Sequence, residues 1–160
     1  MRQQDTSVQA VASHRSNSGF TLIELLLSLV IIGIITAILI PNMLNSLDKS
    51  KQKRTMADIR GLTTSIETYS VDTGTYPTGT GINTLAVLVP EYSRELIQLD
   101  AWDHDLIYQG STSYYSIGSP GKDGGNTLVL IGGGGATQNF DDDIIYAVGQ
   151  FVQWPEGAQE

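Results

Sequence analysis

The sequence predicts an α+β protein, in which a long N-terminal helix is followed by a small head of short antiparallel strands. Two observations support this fold class. Residues 20–40 form an apolar run, and apolar residues continue at helical spacing to about residue 71. After residue 73, short apolar or aromatic runs alternate with turns rich in glycine, serine and aspartate, which is typical of strands. We expect the second half of the helix to pack on these strands.

The apolar run at residues 20–40 carries a single charge, Glu24, among its 21 positions. A helix of this length measures about 32 Å, which is enough to cross the hydrocarbon core of a bilayer. Hydropathy alone is consistent with a single membrane anchor or with an uncleaved signal peptide. A cleaved secretory signal is disfavoured, because the run is too long and no A-x-A site follows it before Pro41.

Glu24 is unusual in such a run. A carboxylate in an apolar span costs on the order of 2–3 kcal/mol or more, so it needs a partner or a proton. One interpretation is that the side chain reaches the nearby lipid headgroups. The other is that it pairs with a cation from a second copy of the chain. If the chain were cut before Phe20, the new α-amino group of a neighbour would supply that cation.

The helical pattern resumes beyond Pro41, which removes one backbone hydrogen bond and bends the helix axis. An apolar stripe follows at spacings of three, four and three residues, formed by Ile59, Leu62, Ile66 and Tyr69. The predicted helix runs from Phe20 to about Val71 and measures about 78 Å. A cluster of helix-breaking residues at positions 74–79 ends it.

Beyond the helix, residues 85–90 predict a short helical turn or buried connector. Three or four antiparallel strands are predicted from the apolar runs Leu106–Tyr108, Tyr114–Ile117, Thr127–Ile131 and Ile144–Val148. We divide the chain into a polar N-terminal segment, an apolar helix, its amphipathic continuation and the head, which are residues 1–19, 20–40, 41–72 and 73–160. A head of about 90 residues buries only a modest core, so a bound ligand or metal would help to stabilise it.

The net charge of −8 is unevenly distributed along the chain. Residues 48–60 hold five basic against two acidic residues, whereas from Gly61 onward thirteen acidic residues face only Arg94 and Lys122. The acidic balance makes nucleic acid a poor candidate partner. The absence of cysteine from the sequence excludes a disulfide scaffold, a thiolate metal site and a cysteine nucleophile.

The sequence holds no clear enzyme motif. The glycine run at residues 132–135 has no Gly-Lys-Ser/Thr triplet, so it is not a phosphate-binding loop. His104 stands alone between Asp103 and Asp105, and no spacing selects a serine for a catalytic triad. Four aromatic residues are interpreted as core or rim packing, namely Trp102, Tyr114, Tyr115 and Trp154. We therefore expect no catalytic residues.

The run SGFTLIE at residues 18–24, the apolar residues after it and Pro41 resemble the class III signal of type IV pilins and type II secretion pseudopilins. The resemblance implies cleavage by a prepilin peptidase between Gly19 and Phe20, and N-methylation of Phe20. Removal of 19 of the 160 residues leaves a mature subunit of 141. The resemblance also implies that Glu24 pairs with the N terminus of a neighbouring subunit during assembly and that Pro41 kinks the helix.

The head carries a second part of this resemblance. The stretches TGTYPT at 73–78, VPEY at 89–92, DAW at 100–102 and YSIGSPGKDG at 115–124 are similar to the major pseudopilin and its close pilin relatives. The family usually has glycine after the tryptophan, where this sequence has Asp103. The resemblance implies a pilin-like α+β fold for nearly the whole mature chain.

Four aspartates form an acidic cluster in the sequence of the head. Asp141, Asp142 and Asp143 are consecutive, and Asp123 lies in a glycine-rich turn upstream. Such a charge run is usually a solvated turn. However, adjacent carboxylates repel one another unless a cation or water separates them, and Asp143 directly precedes a predicted strand. Carboxylates on loops suit calcium, although no EF-hand pattern fits this sequence. The residues alone leave both interpretations open.

In the major pseudopilins this region forms a calcium site. The resemblance implies that calcium would be held by Asp123, Asp142, Asp143 and the backbone carbonyl of Pro120. It does not decide the register within the acidic run, so Asp141 is a further candidate ligand.

The resemblance implies a structural subunit of a pilus-like helical filament and no enzymatic activity. We predict the major pseudopilin type of type II protein secretion. The alternatives are a type IV pilin for adhesion, motility or DNA uptake, and a monomeric membrane-anchored binding domain. The implied partners are further copies of the chain, other minor pilins or pseudopilins, prepilin peptidase and the bacterial inner membrane. The precursor would be a single-pass membrane protein, and the assembled filament would be periplasmic or extracellular.

Overall fold

A computed structural model of the chain describes residues 19–125, 134–147 and 149–157. Its elements, in chain order, are α1 at Leu22–Thr73, β1 at Gly79–Thr80, a 3-10 helix at Ile82–Leu88, β2 at Ile107–Gly110, β3 at Tyr115–Ser119, β4 at Gly135–Thr137, β5 at Ile144–Ala147 and β6 at Gln150–Pro155. The chain separates into two compact units, one that ends at Ile40 and one that begins at Pro41. The α+β fold class is confirmed.

Helix α1 is 52 residues long and differs from the predicted helix by two residues at each end. It contains Pro41, which has no backbone N–H to donate, and the bend expected there stays a prediction. The helix ends where Gly74 adopts a φ of 79°, a conformation that glycine reaches at little cost. The Gly74 N–H donates to the Ser70 carbonyl at 2.9 Å, so the predicted breaker cluster does end the helix.

One face of α1 supplies the core of the second unit. Met56, Ile59, Leu62 and Ile66 are buried at helical spacing, which confirms the predicted stripe. Tyr69 is half-buried at the end of this stripe. Other residues of this core lie in or beside the 3-10 helix and the sheet, namely Leu85, Leu88, Leu106, Tyr108, Tyr115, Ile117, Ile144 and Phe151.

The 3-10 helix fulfils the prediction of a short helical connector, although it begins three residues earlier than expected. Its buried residues are Ile82, Leu85 and Leu88, which are spaced by three. Side chains three residues apart lie above one another in a 3-10 helix. This connector therefore presents a single apolar edge to the core.

The described residues form a six-stranded sheet in the order β1-β2-β3-β5-β6-β4. Neighbouring strands are antiparallel except β4 and β6, which are parallel. All five residues of β3 are buried. Its pairing with β5 places Ser119 opposite Ile144. The loop that follows β3 and the segment that precedes β5 therefore lie at the same end of the sheet.

The strand predictions are partly wrong. β2, β3 and β5 correspond to predicted runs, but β1, β4 and β6 were not expected, so a count of three or four strands is too low. The parallel pair of β4 and β6 also contradicts an entirely antiparallel sheet. These three strands are short or contain few consecutive apolar residues, and pairing with distant segments forms them. The predicted strand Thr127–Ile131 lies outside the described residues, as does Val148.

We expect Ile66→Ala to lower the free energy of unfolding by about 2–5 kcal/mol, because the substitution leaves a cavity in the core. Ile66 is fully buried, whereas Val71 on the same helix is 82% exposed. Val71→Ala is therefore the control, with an expected change below about 0.5 kcal/mol. Chemical denaturation of the detergent-solubilised chain measures both changes. Similar losses in the two variants would contradict the assignment of the buried face.

Candidate functional site

The predicted cleavage site lies at the start of the described chain. Gly19 and Phe20 are in non-helical backbone, two residues before α1 begins at Leu22. The Phe20 side chain is 81% exposed, and among the described residues no atom lies within 4 Å of the position that a Cβ would take on Gly19. Within the described part of the chain, no neighbouring atoms therefore block access to the peptide bond between them.

Glu24 caps the helix in which it lies. Its Oε2 accepts hydrogen bonds from the backbone N–H and the hydroxyl of Thr21, both at 2.9 Å. In return, the Glu24 N–H donates to the Thr21 hydroxyl at 3.3 Å. This reciprocal pair is a capping box, in which a threonine and a glutamate three residues apart satisfy the free N–H groups of a first turn. Within the described residues, both hydrogen bonds to this carboxylate reach Oε2, so Oε1 remains available to a second donor.

The sequence analysis missed this capping box, although the pattern Thr21-x-x-Glu24 before an apolar run is its usual signature. The box adds a third interpretation to headgroup contact and intersubunit pairing, because Glu24 also has a local structural role. The intersubunit pairing stays a prediction.

The surface of α1 around this site is apolar on all sides. Every residue from Phe20 to Leu47 is exposed, including the large side chains Leu26, Ile32 and Ile38. The hydroxyls of Ser28 and Thr36 donate to carbonyls four residues earlier, at 2.8 and 2.7 Å. Hydroxyls satisfied within their own helix do not need water. Of the described helices, α1 is the one long and apolar enough to cross a membrane.

The acidic cluster is brought together by the sheet. Asp123 lies in the turn after β3, and Asp141–Asp143 directly precede β5. The two segments touch, because the Lys122 N–H donates to the Phe140 carbonyl at 2.9 Å. Gly121 has a φ of 72°, and a Cβ there would lie 2.7 Å from the carbonyl oxygen of Asp142. The close approach of the two segments thus requires glycine at this position.

Asp143 is the buried member of the cluster, with 9% of its surface exposed. The hydrogen bonds within the described residues do not include its carboxylate, and none of their buried side-chain oxygens or nitrogens is left without a partner. Burial raises the pKa of this carboxyl, and the negative charges of Asp123 and Asp142 raise it further. A buried carboxylate that faces two like charges is destabilised unless a cation or a proton neutralises it.

The other three aspartates are placed differently. Asp142 accepts hydrogen bonds from Thr137 and Asn139, and Asp123 accepts one from the Gly125 N–H at 2.7 Å. Asp141 is exposed. Pro120, whose carbonyl is a candidate ligand, is buried at the start of the turn.

The described residues contain no preformed metal site. Within that part of the chain, no group of three or more histidine, aspartate or glutamate side chains is close enough to hold a metal ion. Calcium can take backbone carbonyls and water as well as carboxylates, so the cluster would need such ligands to complete a site. The Asp143 carboxylate, which lies near two like charges, is the feature that fits a cation.

Sequence reasoning also missed the contacts that fix the turn after β3. The Ser119 hydroxyl donates to Asp100 at 2.6 Å, and Lys122 pairs with Asp48 of α1 at 2.8 Å. The His104 Nδ1 lies 2.9 Å from the Gly121 carbonyl oxygen, which can only accept, so this nitrogen carries the hydrogen. His104 is thus engaged with backbone. The partners are distant in sequence, and no local pattern indicates them.

The four aromatic residues interpreted as core or rim packing differ in how deeply they are buried. Tyr115 is buried, and Trp102 and Trp154 are half-buried against the core. Tyr114 is 48% exposed, so it lies at the surface and not in the core.

A capped apolar N-terminal helix that continues into a small β head defines a pilin-like protein. The sequence model of the prokaryotic N-terminal methylation motif matches residues 14–40. That of type II secretion system protein G matches residues 42–128, more than half of the chain. The chain belongs to the type II secretion system protein G family.

Curated relatives give the same placement. The type II secretion system core protein G of Klebsiella michiganensis is 32% identical over 124 residues, which cover 69% of this chain and 87% of the relative. That of Vibrio cholerae serotype O1 is 29% identical over 126 residues, with coverages of 69% and 86%. That of Dickeya chrysanthemi is 29% identical over 133 residues, with coverages of 81% and 86%. No solved structure matches the chain.

The family membership confirms the predicted secretion pseudopilin over the type IV pilin and the monomeric anchored domain. The family match ends at residue 128, before Asp141–Asp143. The calcium ligands therefore stay a prediction that depends on the geometry of this chain.

The raised pKa of Asp143 predicts a specific pH dependence in calcium-free buffer. The unfolded carboxyl titrates near pH 3.9, and the folded one titrates higher. The folded state therefore holds this proton more tightly, and stability falls as the pH rises from about 4 through the folded pKa. We expect Asp143→Asn to remove this fall and to be more stable than the native chain at pH 7.

Chemical denaturation at a series of pH values with a chelator measures this effect. Asp105→Asn is the matched control, because Asp105 is exposed. If the stability of Asp143→Asn depended on pH as the stability of the native chain does, the Asp143 carboxylate would not be destabilised in the folded state.

Proposed function

We propose that the chain is a structural subunit of a helical, pilus-like filament of the type II secretion system. In this filament the apolar N-terminal helices pack together and the acidic heads form the surface. The observation that carries the proposal is the exposure of all residues from 20 to 47 in the isolated chain. Such a length of apolar helix is stable only in lipid or against other helices.

Assembly would begin with a precursor in the inner membrane, anchored by the first half of α1. Prepilin peptidase would cut the bond between Gly19 and Phe20, and methylation of the new amino group would follow. The match of residues 14–40 to the N-terminal methylation motif supports this processing. Other pseudopilins of the same system are the proposed partners at the filament end, and the filament would stand in the periplasm.

Glu24 is the proposed pairing residue. In apolar surroundings a carboxylate and an amino group attract strongly, and this attraction offsets part of the desolvation cost of both charges. The capping bonds to Thr21 hold the carboxylate at the first turn of α1 through Oε2, and the amino group of a neighbour would bind at Oε1. Since only one axial offset brings the two groups together, this pair would also set the register between neighbouring helices.

The proposed function is assembly rather than catalysis. The histidine of the head donates to the Gly121 carbonyl, as described above, and the family is a structural one. The heads would therefore form a surface that moves with the filament, and they would not turn over a substrate.

We expect Glu24→Ala to abolish filament assembly while leaving cleavage and methylation intact, because the substitution removes the partner of the neighbouring amino group. Electron microscopy of sheared filaments measures assembly, and mass spectrometry of the subunit measures processing. Ser28→Ala is the matched control, since Ser28 lies one turn further along and bonds only to the Glu24 carbonyl. Normal filaments from Glu24→Ala would refute the pairing.

We also propose that calcium stabilises the head at Asp123, Asp142 and Asp143, with the Pro120 carbonyl as a backbone ligand and Asp141 as a further candidate. The burial of Asp143 beside the like charges of Asp123 and Asp142 supports this proposal. A calcium ion supplies the positive charge that the three carboxylates lack, and oxygen ligands on loops suit it. The metal would do for this cysteine-free head what disulfides do for other small exported domains.

Calcium at 100 times its Kd should raise the stability of the head by about 2.7 kcal/mol, because it binds the folded state alone. Thermal melts of the chain with calcium and then with a chelator measure this shift. Asp143→Asn should lose the shift, and Asp105→Asn should keep it. Identical midpoints for the native chain in both buffers would remove calcium from the proposal and leave the filament untouched.

A further inference from the structure

A groove with polar and charged walls lies between α1 and the sheet, and we call it the Lys49 groove. Its volume is about 550 Å³, which is within the range of small-molecule sites in proteins. One wall is the face of α1 that carries Asn45, Lys49 and Gln52, spaced by four and three residues. The other wall lies at the ends of β4 and β6 and includes Thr137 and Glu156.

Gln52 is the buried polar residue on the helix wall, with 4% of its surface exposed. The hydrogen bonds within the described residues do not include its side-chain amide, and none of their fully enclosed side-chain nitrogens or oxygens lacks a partner. The amide is therefore not fully enclosed, and its remaining exposure is in the groove that Gln52 lines. An amide offers both donors and an acceptor, so this one is available to a ligand in the groove.

The groove holds two opposite charges that do not pair with each other. Lys49 on the helix wall and Glu156 on the sheet wall are both exposed. Within the described part of the chain, none of the ion pairs at up to 4.0 Å includes either residue. The Glu156 N–H donates to the Thr137 carbonyl at 2.8 Å, and its Oε2 accepts a hydrogen bond from Gln138. Glu156 is thus held on the sheet wall, and a ligand with both charges fits between it and Lys49.

The helix wall continues into apolar surface. Met43, Leu44 and Leu47 are half or more exposed, and they lie within a few positions of Asn45 and Lys49 on α1. In a chain anchored by the first half of α1, such apolar side chains lie in lipid. A lysine that follows them extends its ammonium into the headgroup layer. The Lys49 groove therefore opens where lipid headgroups are found.

We propose that the Lys49 groove binds the headgroup of phosphatidylethanolamine, a phosphate ester that carries an amino group. The Lys49 ammonium binds the phosphate, the Glu156 carboxylate accepts from the amino group, and the Gln52 amide donates to a phosphate or ester oxygen. The inference rests on the membrane anchorage in the proposed function and goes beyond it. The bound lipid would hold the head at the membrane surface before the subunit assembles.

The chain offers a matched control for each charge. Lys53 is exposed one turn further along α1 than Lys49, and it does not line the groove. Glu95 is an exposed carboxylate of the head, and it does not line the groove either. Because Lys49, Glu156 and both control residues are exposed, substituting them removes a charge without opening the core.

Titration of the detergent-solubilised full chain with phosphatidylethanolamine, followed by native mass spectrometry, tests the proposal. The native chain should retain one lipid molecule. Lys49→Met and Glu156→Gln should each raise the Kd of this lipid by about tenfold, because each removes a charge-assisted hydrogen bond. Lys53→Met and Glu95→Gln should leave the Kd within about twofold of the native value, since exposed charges outside the groove contribute little.

Three lipids with the same phosphate separate headgroup recognition from general attraction to the basic helix. Phosphatidylglycerol lacks the amino group, and the quaternary amine of phosphatidylcholine cannot donate a hydrogen bond. Both should therefore bind the native chain more weakly than phosphatidylethanolamine, and Glu156→Gln should abolish the preference. Tighter binding of phosphatidylglycerol would overturn the proposal, and so would a Lys49→Met variant that binds phosphatidylethanolamine as the native chain does.

Free O-phosphoethanolamine carries the same phosphate and amino group in water. If it bound the native chain as tightly as the lipid does, the ligand would be a soluble phosphate ester, and the assignment to a lipid would be overturned. If a second copy of the chain occupied the groove, Lys49→Met would impair filament assembly and leave lipid retention unchanged. That result would also overturn the proposal.

The lipid titration and the filament test fail independently. Lipid retention is measured on the single subunit, whereas the pairing of Glu24 is measured on sheared filaments. A native chain that retains no lipid would overturn this inference and leave the filament proposal untouched. Normal filaments from Glu24→Ala would refute the pairing without changing the Kd for the lipid.

Discussion

The division of helix α1 into an uncovered part and a covered part is the constraint on which the rest of the structure depends. From Met56 to Ile66 one face of the helix forms the core of the head, whereas all residues from Phe20 to Leu47 are exposed. The head buries apolar residues of only the second half of this helix. The first half must be covered by lipid or by other helices, because apolar surface of this extent is not stable in water. Membrane anchorage and assembly are two ways of meeting the same requirement.

The polar groups of the chain are satisfied differently in its apolar half and in its head. In the apolar half, Ser28 and Thr36 satisfy their hydroxyls within the helix, and Glu24 is held by Thr21. In the head, the antiparallel pairing of β3 and β5 brings the acidic segments to one end of the sheet, where Asp143 is buried beside the like charges of Asp123 and Asp142. Each half therefore keeps one carboxylate that its own contacts do not fully neutralise. We propose a neighbouring amino group for the first and calcium for the second.

Sequence patterns predict the parts of this structure that depend on neighbouring residues. The helix, its buried stripe and its end at Gly74 follow from spacing and backbone conformation. The capping box at Thr21 could also have been predicted from its sequence pattern. The parts that depend on distant contacts were not predictable. β4 begins at a glycine and forms through a parallel pairing with β6, and the Asp48 pair with Lys122 joins residues 74 positions apart. The four aspartates could be named from the sequence, but only the sheet register shows which of them is buried.

The central claim is that Glu24 of one subunit neutralises the amino terminus of another. An electron cryomicroscopy reconstruction of the assembled filament, at a resolution that shows side chains, measures the distance between these groups directly. The account predicts the Phe20 nitrogen of one subunit within about 4 Å of the Glu24 carboxylate of its neighbour, the range of an ion pair. A filament in which every Glu24 contacts only Thr21 of its own chain, with the amino termini elsewhere, would contradict it.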